Sequence, residues 1–265
     1  MQRKSLVIAT MALAIGVPAA AQSTGGGQME GHPTTVARFY NVTAKEGHAS
    51  QLEEGIKKHI AWHRGAGDKG GWHVWNVATG PGMGGYVVGT LGRTWEGLEQ
   101  TEMGAEDEAD VAITIAPHVE NVTGSIWVYR GDISPAAEGG SPATFAQVIH
   151  YYLRPEGVPV FEGVIRQISQ SMMKLPAEQR APSPPMIYEL MAGGQAPRMA
   201  LVFNRDGWGD FAPSGVTPLQ ALEKAFGQEK AREIMKTGAQ GIRYTETEIL
   251  RYRADLSSPA AASND

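Results

Sequence analysis

Two segments of this chain repeat one pattern in the same order, and this repetition restricts the possible folds more than any other feature. Each segment opens with an apolar stretch, Val36–Val42 or Val148–Leu153, that leads into a helical pattern. Each ends with nearly the same six-residue motif, which we call the closing motif: YRGDIS at 129–134 and YRADLS at 252–257. The apolar stretch, the helical pattern and the closing motif occur in the same order in both segments. This order predicts a chain built from two copies of one folding unit.

The order of elements within each copy predicts a βαββαβ unit. The strand-like runs in the middle of the two copies align without a gap, at 73–78 and 86–91 in the first and at 186–191 and 199–204 in the second. Thr217 and Gln220 form a capping-box pattern before the last helix of the second copy. Such a unit is a ferredoxin-like sheet with both helices on one face. The predicted fold class is therefore α+β, with two tandem ferredoxin-like units that pack sheet to sheet as an intramolecular barrel.

The first 21 residues have the three parts of a secretory signal peptide. Arg3 and Lys4 precede the apolar run Leu6–Val17, and Ala19–Ala21 offers a cleavage site. The run is shorter than the roughly 20 apolar residues that a membrane span needs, so no span is expected. Cleavage near Ala21 predicts a periplasmic or secreted protein. The remaining boundaries are a flexible leader at 22–33, a first unit at 34–133, a linker at 134–143, a second unit at 144–256 and a disordered tail at 257–265.

Composition excludes several classes of function. The net charge of -5 and the absence of a basic stripe disfavour nucleic-acid binding. The chain has no cysteine, so its stability must come from its core although its predicted compartment permits disulfides. No motif for an organic cofactor is present, and none is predicted. Both a monomer and a homodimer remain open, because a closed barrel can still pair through its helices.

The first strands and their exits, Phe39–Gly47 and Tyr151–Gly157, resemble those of the dimeric α+β barrel superfamily, and within it the NIPSNAP-like and antibiotic-biosynthesis-monooxygenase-like groups. Members usually build the barrel from two chains, and here the duplication would supply both halves. The superfamily includes cofactor-free oxygenases, haem enzymes and isomerases. The resemblance therefore implies a fold and leaves the activity open.

Polar and aromatic side chains are more numerous on the predicted strands than a sealed core requires. If they point into the barrel, they line a pocket of the composition usual for a small-molecule ligand. The ligand-binding candidates are Arg38, His73, Trp75, Tyr152 and Tyr188. The alternative is that these side chains face the helices, because a shift of one residue in register reverses the face.

Three residues are candidates for acid–base catalysis, namely His150, Tyr40 and Glu189. His150 and Tyr40 lie in the first strands of the two copies. Glu189 stands among apolar neighbours, where a carboxyl group has a raised pKa and can act as a general base. The alternative for Glu189 is a strand end near the surface with no catalytic role.

His59 and His63 are four residues apart on the first predicted helix, a spacing that places both imidazoles on one face and can chelate a metal. They align with Ile168 and Met172 on the apolar stripe of the second copy, so both should face inward. The pattern supplies no third ligand, and the alternative is a pair of hydrogen-bonded structural histidines.

Three functions follow from these observations. The first is an exported barrel that binds a small, partly apolar molecule between its two sheets. The second is a cofactor-independent oxygenase or isomerase that uses a strand His or Tyr. The third is a haem or metal protein that uses His59, His63, His73 or His150.

Overall fold

The structure, a computed structural model, describes residues 35–68, 70–99, 103–136, 142–180 and 183–258. The predicted signal peptide, leader and most of the tail lie outside the described residues. The eight strands are β1 (Val36–Ala44), β2 (His73–Thr79), β3 (Tyr86–Arg93), β4 (Val119–Tyr129), β5 (Phe145–Leu153), β6 (Met186–Ala192), β7 (Arg198–Arg205) and β8 (Ile242–Tyr252). The same described residues contain six α-helices: α1 (Ala49–Gly65), α2 (Trp95–Glu99), α3 (Ala105–Thr114), α4 (Val158–Met173), α5 (Pro218–Phe226) and α6 (Gln228–Gln240).

All eight strands form one closed antiparallel barrel. The first half contributes strands in the order β4-β1-β3-β2 and the second half in the equivalent order β8-β5-β7-β6, which is the ferredoxin-like arrangement. The halves join edge to edge at two seams, β2 with β8 and β4 with β6. The predicted fold class is confirmed, and pairing at both seams leaves neither sheet with an open edge.

Side chains alternate between the two faces of each strand, so the barrel has an inner and an outer apolar layer. Trp75, Val77 and Leu190 belong to the inner layer. On the outer face, separate apolar clusters pack under α1 and α4, with Leu52 and Phe161 among their buried members. No helix in the described part of the chain has the length and apolar character that crossing a bilayer requires.

The last helix predicted for the second half is two helices in the structure. Thr217 caps α5 as predicted, since its Oγ1 accepts a hydrogen bond from the Gln220 amide at 3.2 Å. The helix then ends at Gly227, whose φ of 83° lies in the left-handed region that favours glycine. In the first half the corresponding region between β3 and β4 also contains two helices among its described residues, α2 and α3.

The arginine of each closing motif forms an ion pair between the halves, and we call the two ion pairs the clasps. Arg253, just after β8, donates to both carboxylate oxygens of Glu53 on α1 at 2.6 and 3.0 Å, and it also binds Asp255. Its counterpart Arg130, just after β4, donates to Glu162 on α4. Each arginine therefore binds a helix of the opposite half. The hydrogen bond from Arg253 is the main cause of the lowered pKa of Glu53.

The serine of each closing motif accepts a backbone hydrogen bond at the seam between the halves. Ser257 Oγ accepts a hydrogen bond from the Val74 amide at 2.9 Å. Ser134 Oγ accepts one from the Ile187 amide at 2.9 Å, at the equivalent position of the other half. The closing motif occurs in both copies because each seam of the barrel uses the same arginine and serine contacts.

Candidate functional site

A cavity of about 1150 Å³ lies inside the barrel, between the two sheets. Six of its lining residues are Phe, Trp or Tyr, and several of these rings contact one another: the centroids of Phe39 and Trp75 are 6.2 Å apart, and those of Trp75 and Tyr252 are 5.7 Å apart. Aliphatic side chains such as Val87 and Val148 complete the walls. A cavity of this size and lining suits a small, mostly apolar molecule.

Hydrogen-bonded polar side chains gather at one end of the cavity. His150 Nε2 lies 3.1 Å from Glu248 Oε1. Tyr152 donates its hydroxyl hydrogen to Glu246 Oε2 at 2.7 Å and accepts a hydrogen bond from Arg198 Nη1 at 2.8 Å. All five residues come from strands β5, β7 and β8 of the second half. We call them the polar cluster.

Two nitrogen atoms of the polar cluster are buried without a hydrogen-bond partner among the described residues, namely His150 Nδ1 and Arg198 Nε. The imidazole of His150 lies 5.8 Å from the Trp127 ring, and the Arg198 guanidinium covers the same ring at 4.7 Å. A buried polar atom without a partner costs free energy, so a ligand that hydrogen bonds there would recover it.

The charges of the polar cluster favour a protonated tyrosine. Burial, and then the hydrogen bond to Glu246, raises the pKa of Tyr152, while Arg198 acts in the opposite direction. Tyr152 therefore keeps its hydroxyl proton at neutral pH. The Arg198 guanidinium, with its unpartnered Nε, stands beside an imidazole whose Nε2 faces a carboxylate, and such groups can bind a developing anion and accept a proton.

The opposite end of the cavity holds a second histidine. Tyr252 is six residues along β8 from Glu246, a separation of about 20 Å in a strand. His73 Nδ1 lies 3.4 Å from the Tyr252 hydroxyl. Burial, and then the positive charge of Arg93, lowers the pKa of His73, so this imidazole is neutral at neutral pH.

The structure places His73, Trp75, His150, Tyr152 and Tyr188 in the cavity. Their roles in binding or catalysis stay predictions. Sequence reasoning missed Arg198, Glu246 and Glu248, although the two glutamates alternate on β8 in step with Leu250 and Tyr252. That alternation was the available signal, because all four side chains share one face of the strand.

The prediction that Arg38 and Tyr40 line the barrel is wrong. Tyr40 packs with the apolar cluster under α1, and Arg38 lies over its ring at 5.2 Å. The strands β1 and β5 end at 44 and 153, and their helices begin at 49 and 158, so the structural offset is 109 residues (153 − 44 and 158 − 49). Matching Glu46–Gly47 with Glu156–Gly157 implies 110, and this error of one residue reverses the face of the strand.

The prediction that Glu189 is a catalytic base is also wrong. It lies on the outer face of β6, and its Oε2 accepts a hydrogen bond from Arg130 Nη1 at 2.8 Å. Its side chain is 39% exposed, so it has neither the apolar surroundings nor the access to the cavity that the prediction required.

His59 and His63 face inward as predicted, but they are buried between α1 and α3 rather than in the cavity. Their two Nε2 atoms lie 3.2 Å apart, and Asp107 of α3 approaches both. Burial, and then the neighbouring His59, lowers the pKa of His63. Among the described residues these three side chains form a group that could hold a metal ion.

Comparison of the sequence with protein-family models and with curated proteins gives no match. Solved structures do match. A proposed monooxygenase from Fusobacterium nucleatum superposes with a TM-score of 0.56 at 11% identity, over 86% of this chain and 95% of that one. A proposed monooxygenase from Lactobacillus acidophilus gives 0.50 at 9% identity, over 86% of this chain and 97% of that one.

A proposed chlorite dismutase gives a TM-score of 0.51 at 9% identity, over 85% of this chain and 98% of its own. At such identities the likeness concerns the fold alone. The resemblance stated from the sequence is confirmed at that level. The chain has the dimeric α+β barrel fold shared by these monooxygenase-like and chlorite-dismutase-like structures, with both ferredoxin-like halves in one polypeptide.

Proposed function

We propose that the barrel binds a small, largely aromatic molecule that directs a hydroxyl or carbonyl group at the polar cluster. The observation that carries this proposal is the unpartnered Nδ1 of His150 at the end of an aromatic cavity of about 1150 Å³. Aromatic walls supply affinity through burial of apolar surface, and the single polar end fixes the orientation of the ligand.

A pair of probes tests this orientation. Quenching of tryptophan fluorescence by naphthalene and by 2-naphthol reports binding beside Trp75 and Trp127. We expect 2-naphthol to bind about 5- to 30-fold more tightly, because a net hydrogen bond contributes about 1–2 kcal/mol. His150→Leu should remove that preference while naphthalene still binds. Equal affinities for both probes in the unaltered protein would contradict the proposed orientation.

General-base catalysis is the second candidate function, and the contact between His150 Nε2 and Glu248 favours it. A carboxylate at one imidazole nitrogen orients the ring and stabilises the imidazolium that forms when the other nitrogen takes a proton. A carbon acid bound in the cavity would transfer its proton to Nδ1, leaving the electron pair on an enolate oxygen. Arg198, whose Nε has no hydrogen-bond partner among the described residues, would donate a hydrogen bond to that oxygen.

Exchange of carbon-bound hydrogen for deuterium measures this proton transfer directly. With 2-tetralone in D2O, followed by NMR, we expect exchange about 10²- to 10⁴-fold above the buffer rate. Glu248→Gln should reduce the rate strongly. Glu189→Gln is the matched control, because it makes the same chemical change outside the cavity. Background exchange in the unaltered protein, or equal loss in both variants, would leave binding as the only proposed function.

We also propose that the protein acts outside the cytoplasm. The charged start, apolar run and Ala19–Ala21 site support this assignment. Mass spectrometry of protein recovered from the periplasm of a Gram-negative expression host should give a chain that begins near Gln22. A full-length chain confined to the cytoplasm would contradict the proposal.

A further inference from the structure

We infer that the first half holds a divalent transition-metal ion of the zinc class between α1 and α3, bound by the Nε2 atoms of His59 and His63 and by Oδ1 of Asp107. This site is separate from the barrel cavity and independent of the function proposed for it. The two histidines stand on one face of α1, and Asp107 lies in the first turn of α3.

The three donor atoms form a nearly equilateral triangle. His59 Nε2 is 3.2 Å from His63 Nε2 and 3.3 Å from Asp107 Oδ1, and His63 Nε2 is 3.6 Å from the same oxygen. A point about 2 Å from all three atoms follows from these sides, which is the length of a zinc–nitrogen bond. Ligands of a tetrahedral zinc ion are themselves about 3.3 Å apart.

One atom of the triangle lacks an ordinary partner. Asp107 Oδ1 is buried without a hydrogen bond among the described residues. His63 is 1% exposed and His59 is 8% exposed, so two imidazole rings and a carboxylate oxygen converge almost without solvent. An unpaired carboxylate oxygen in such surroundings is costly, and a bound cation would compensate it.

The outer nitrogen of each imidazole faces a further carboxylate. His59 Nδ1 lies 2.8 Å from Asp110 Oδ2, whereas His63 Nδ1 lies 3.5 Å from Asp68 Oδ2 and makes no hydrogen bond among the described residues. Histidines that bind metals usually donate their other N–H to a carboxylate, which fixes the tautomer and orients the ring. Arg93 lies 3.6 Å from Asp68 on its far side and balances part of that charge.

The ligand set selects the class of metal. Two imidazole nitrogens and one carboxylate oxygen suit zinc and its transition-metal neighbours, whereas calcium and magnesium require oxygen ligands. The Asp107 side chain is 21% exposed, so solvent can supply the fourth ligand. Because α3 has no buried residue, the ion would tie this helix to α1 in place of apolar contacts.

Zinc stoichiometry in the whole purified chain tests the site. After treatment with EDTA and dialysis against Zn²⁺, we expect one zinc per chain and a higher Tm. Asp107→Asn should abolish both effects, and its partial exposure lets the variant fold where a change at buried His63 might not. Asp110→Asn, which alters the outer contact of His59 and a hydrogen bond from Thr114 Oγ1, should weaken zinc binding about 10- to 100-fold.

His118→Gln is the matched control. His118 belongs to the other histidine pair of this half, where its Nδ1 lies 3.1 Å from His48 Nδ1. This variant should still bind one zinc ion and show the same rise in Tm. Absence of zinc from the unaltered protein, retention of zinc by Asp107→Asn, or loss of zinc in His118→Gln would each overturn the assignment.

Discussion

The helix layers of the two halves are held by different chemistry. In the second half, α4, α5 and α6 share a buried apolar cluster made of Val164, Leu222, Ala231 and Ile234. In the first half, α3 has no buried residue, and its contact with α1 includes carboxylates that face two histidines and a close approach of Gly55 to the Thr114 backbone. One topology therefore accommodates either a hydrophobic joint or a polar one.

The barrel interior shows the opposite asymmetry. The second half supplies the polar cluster, whereas the first half supplies mainly aromatic and aliphatic wall. The positions equivalent to His150 and Glu248 in the first half are Asn41 and Ser125, at offsets of 109 and 123 residues (150 − 41 and 248 − 125). The pair in the second half therefore carries an imidazole and a carboxyl group, whereas the pair in the first half carries an amide and a hydroxyl. The two halves share one topology, but the polar cluster lies inside the barrel, whereas the histidine–carboxylate group of the first half lies between α1 and α3.

The largest effect is expected from breaking the hydrophobic joint. Leu222 is fully buried, so Leu222→Ala should lower the free energy of unfolding by about 2–5 kcal/mol. Ile113→Ala on α3 removes a side chain that is 76% exposed and should change it by less than about 0.5 kcal/mol. Urea unfolding of both variants measures the difference. Similar losses would show that the joints are more alike than described.

An intermediate effect is expected from breaking the polar joint without metal. Asp110→Ala removes the partner of His59 Nδ1 and should cost about 1–3 kcal/mol in the EDTA-treated protein. Glu106→Ala, at an exposed position of the same helix, should cost at most about 0.5 kcal/mol. Equal unfolding midpoints in urea for the two variants would mean that the contact of His59 with Asp110 contributes nothing.

The smallest effect concerns the clasps, where the halves should behave alike. Hydrogen bonds from arginine lower the pKa values of Glu53, Asp132 and Asp255. Because these folded-state pKa values are depressed, the stabilisation is present above the unfolded-state values and is lost as pH falls below 4.5 and through the folded-state values. Each clasp is partly exposed, so Arg130→Gln and Arg253→Gln should each remove less than about 1 kcal/mol at pH 7.

Urea unfolding between pH 7 and pH 3 checks the clasps. Both variants should lose less stability on acidification than the unaltered protein, and by similar amounts. A pH profile that neither substitution changes would rule out a contribution of the clasps to acid sensitivity.

Patterning within each copy was enough to predict the fold. The local signals were the strand patterns, the capping box at Thr217 and the repeated closing motif. The duplication showed how two sheets could cover each other. The face of β1 was not predictable in the same way, because a one-residue error in aligning the turns reverses Arg38 and Tyr40 relative to the cavity.

Contacts between distant elements limited the prediction of the site. His150 was identified from its strand, but its partner Glu248 lies 98 residues later and meets it only through the pairing of β5 with β8. Likewise, the acidic run at 106–108 does not indicate which carboxylate approaches His59, because that depends on how α3 docks on α1. Local sequence specifies elements, whereas these contacts depend on their packing.

Both halves of the barrel belong to one polypeptide, and this frees the interior from twofold symmetry. A barrel made of two identical chains must present every inner side chain twice, so a proton acceptor in one wall would face its own copy in the other. Here a substitution at position 150 leaves position 41 unchanged. An asymmetric interior of this kind can bind an asymmetric ligand in a single orientation. Two symmetry-related sites in a homodimer would not enforce one orientation.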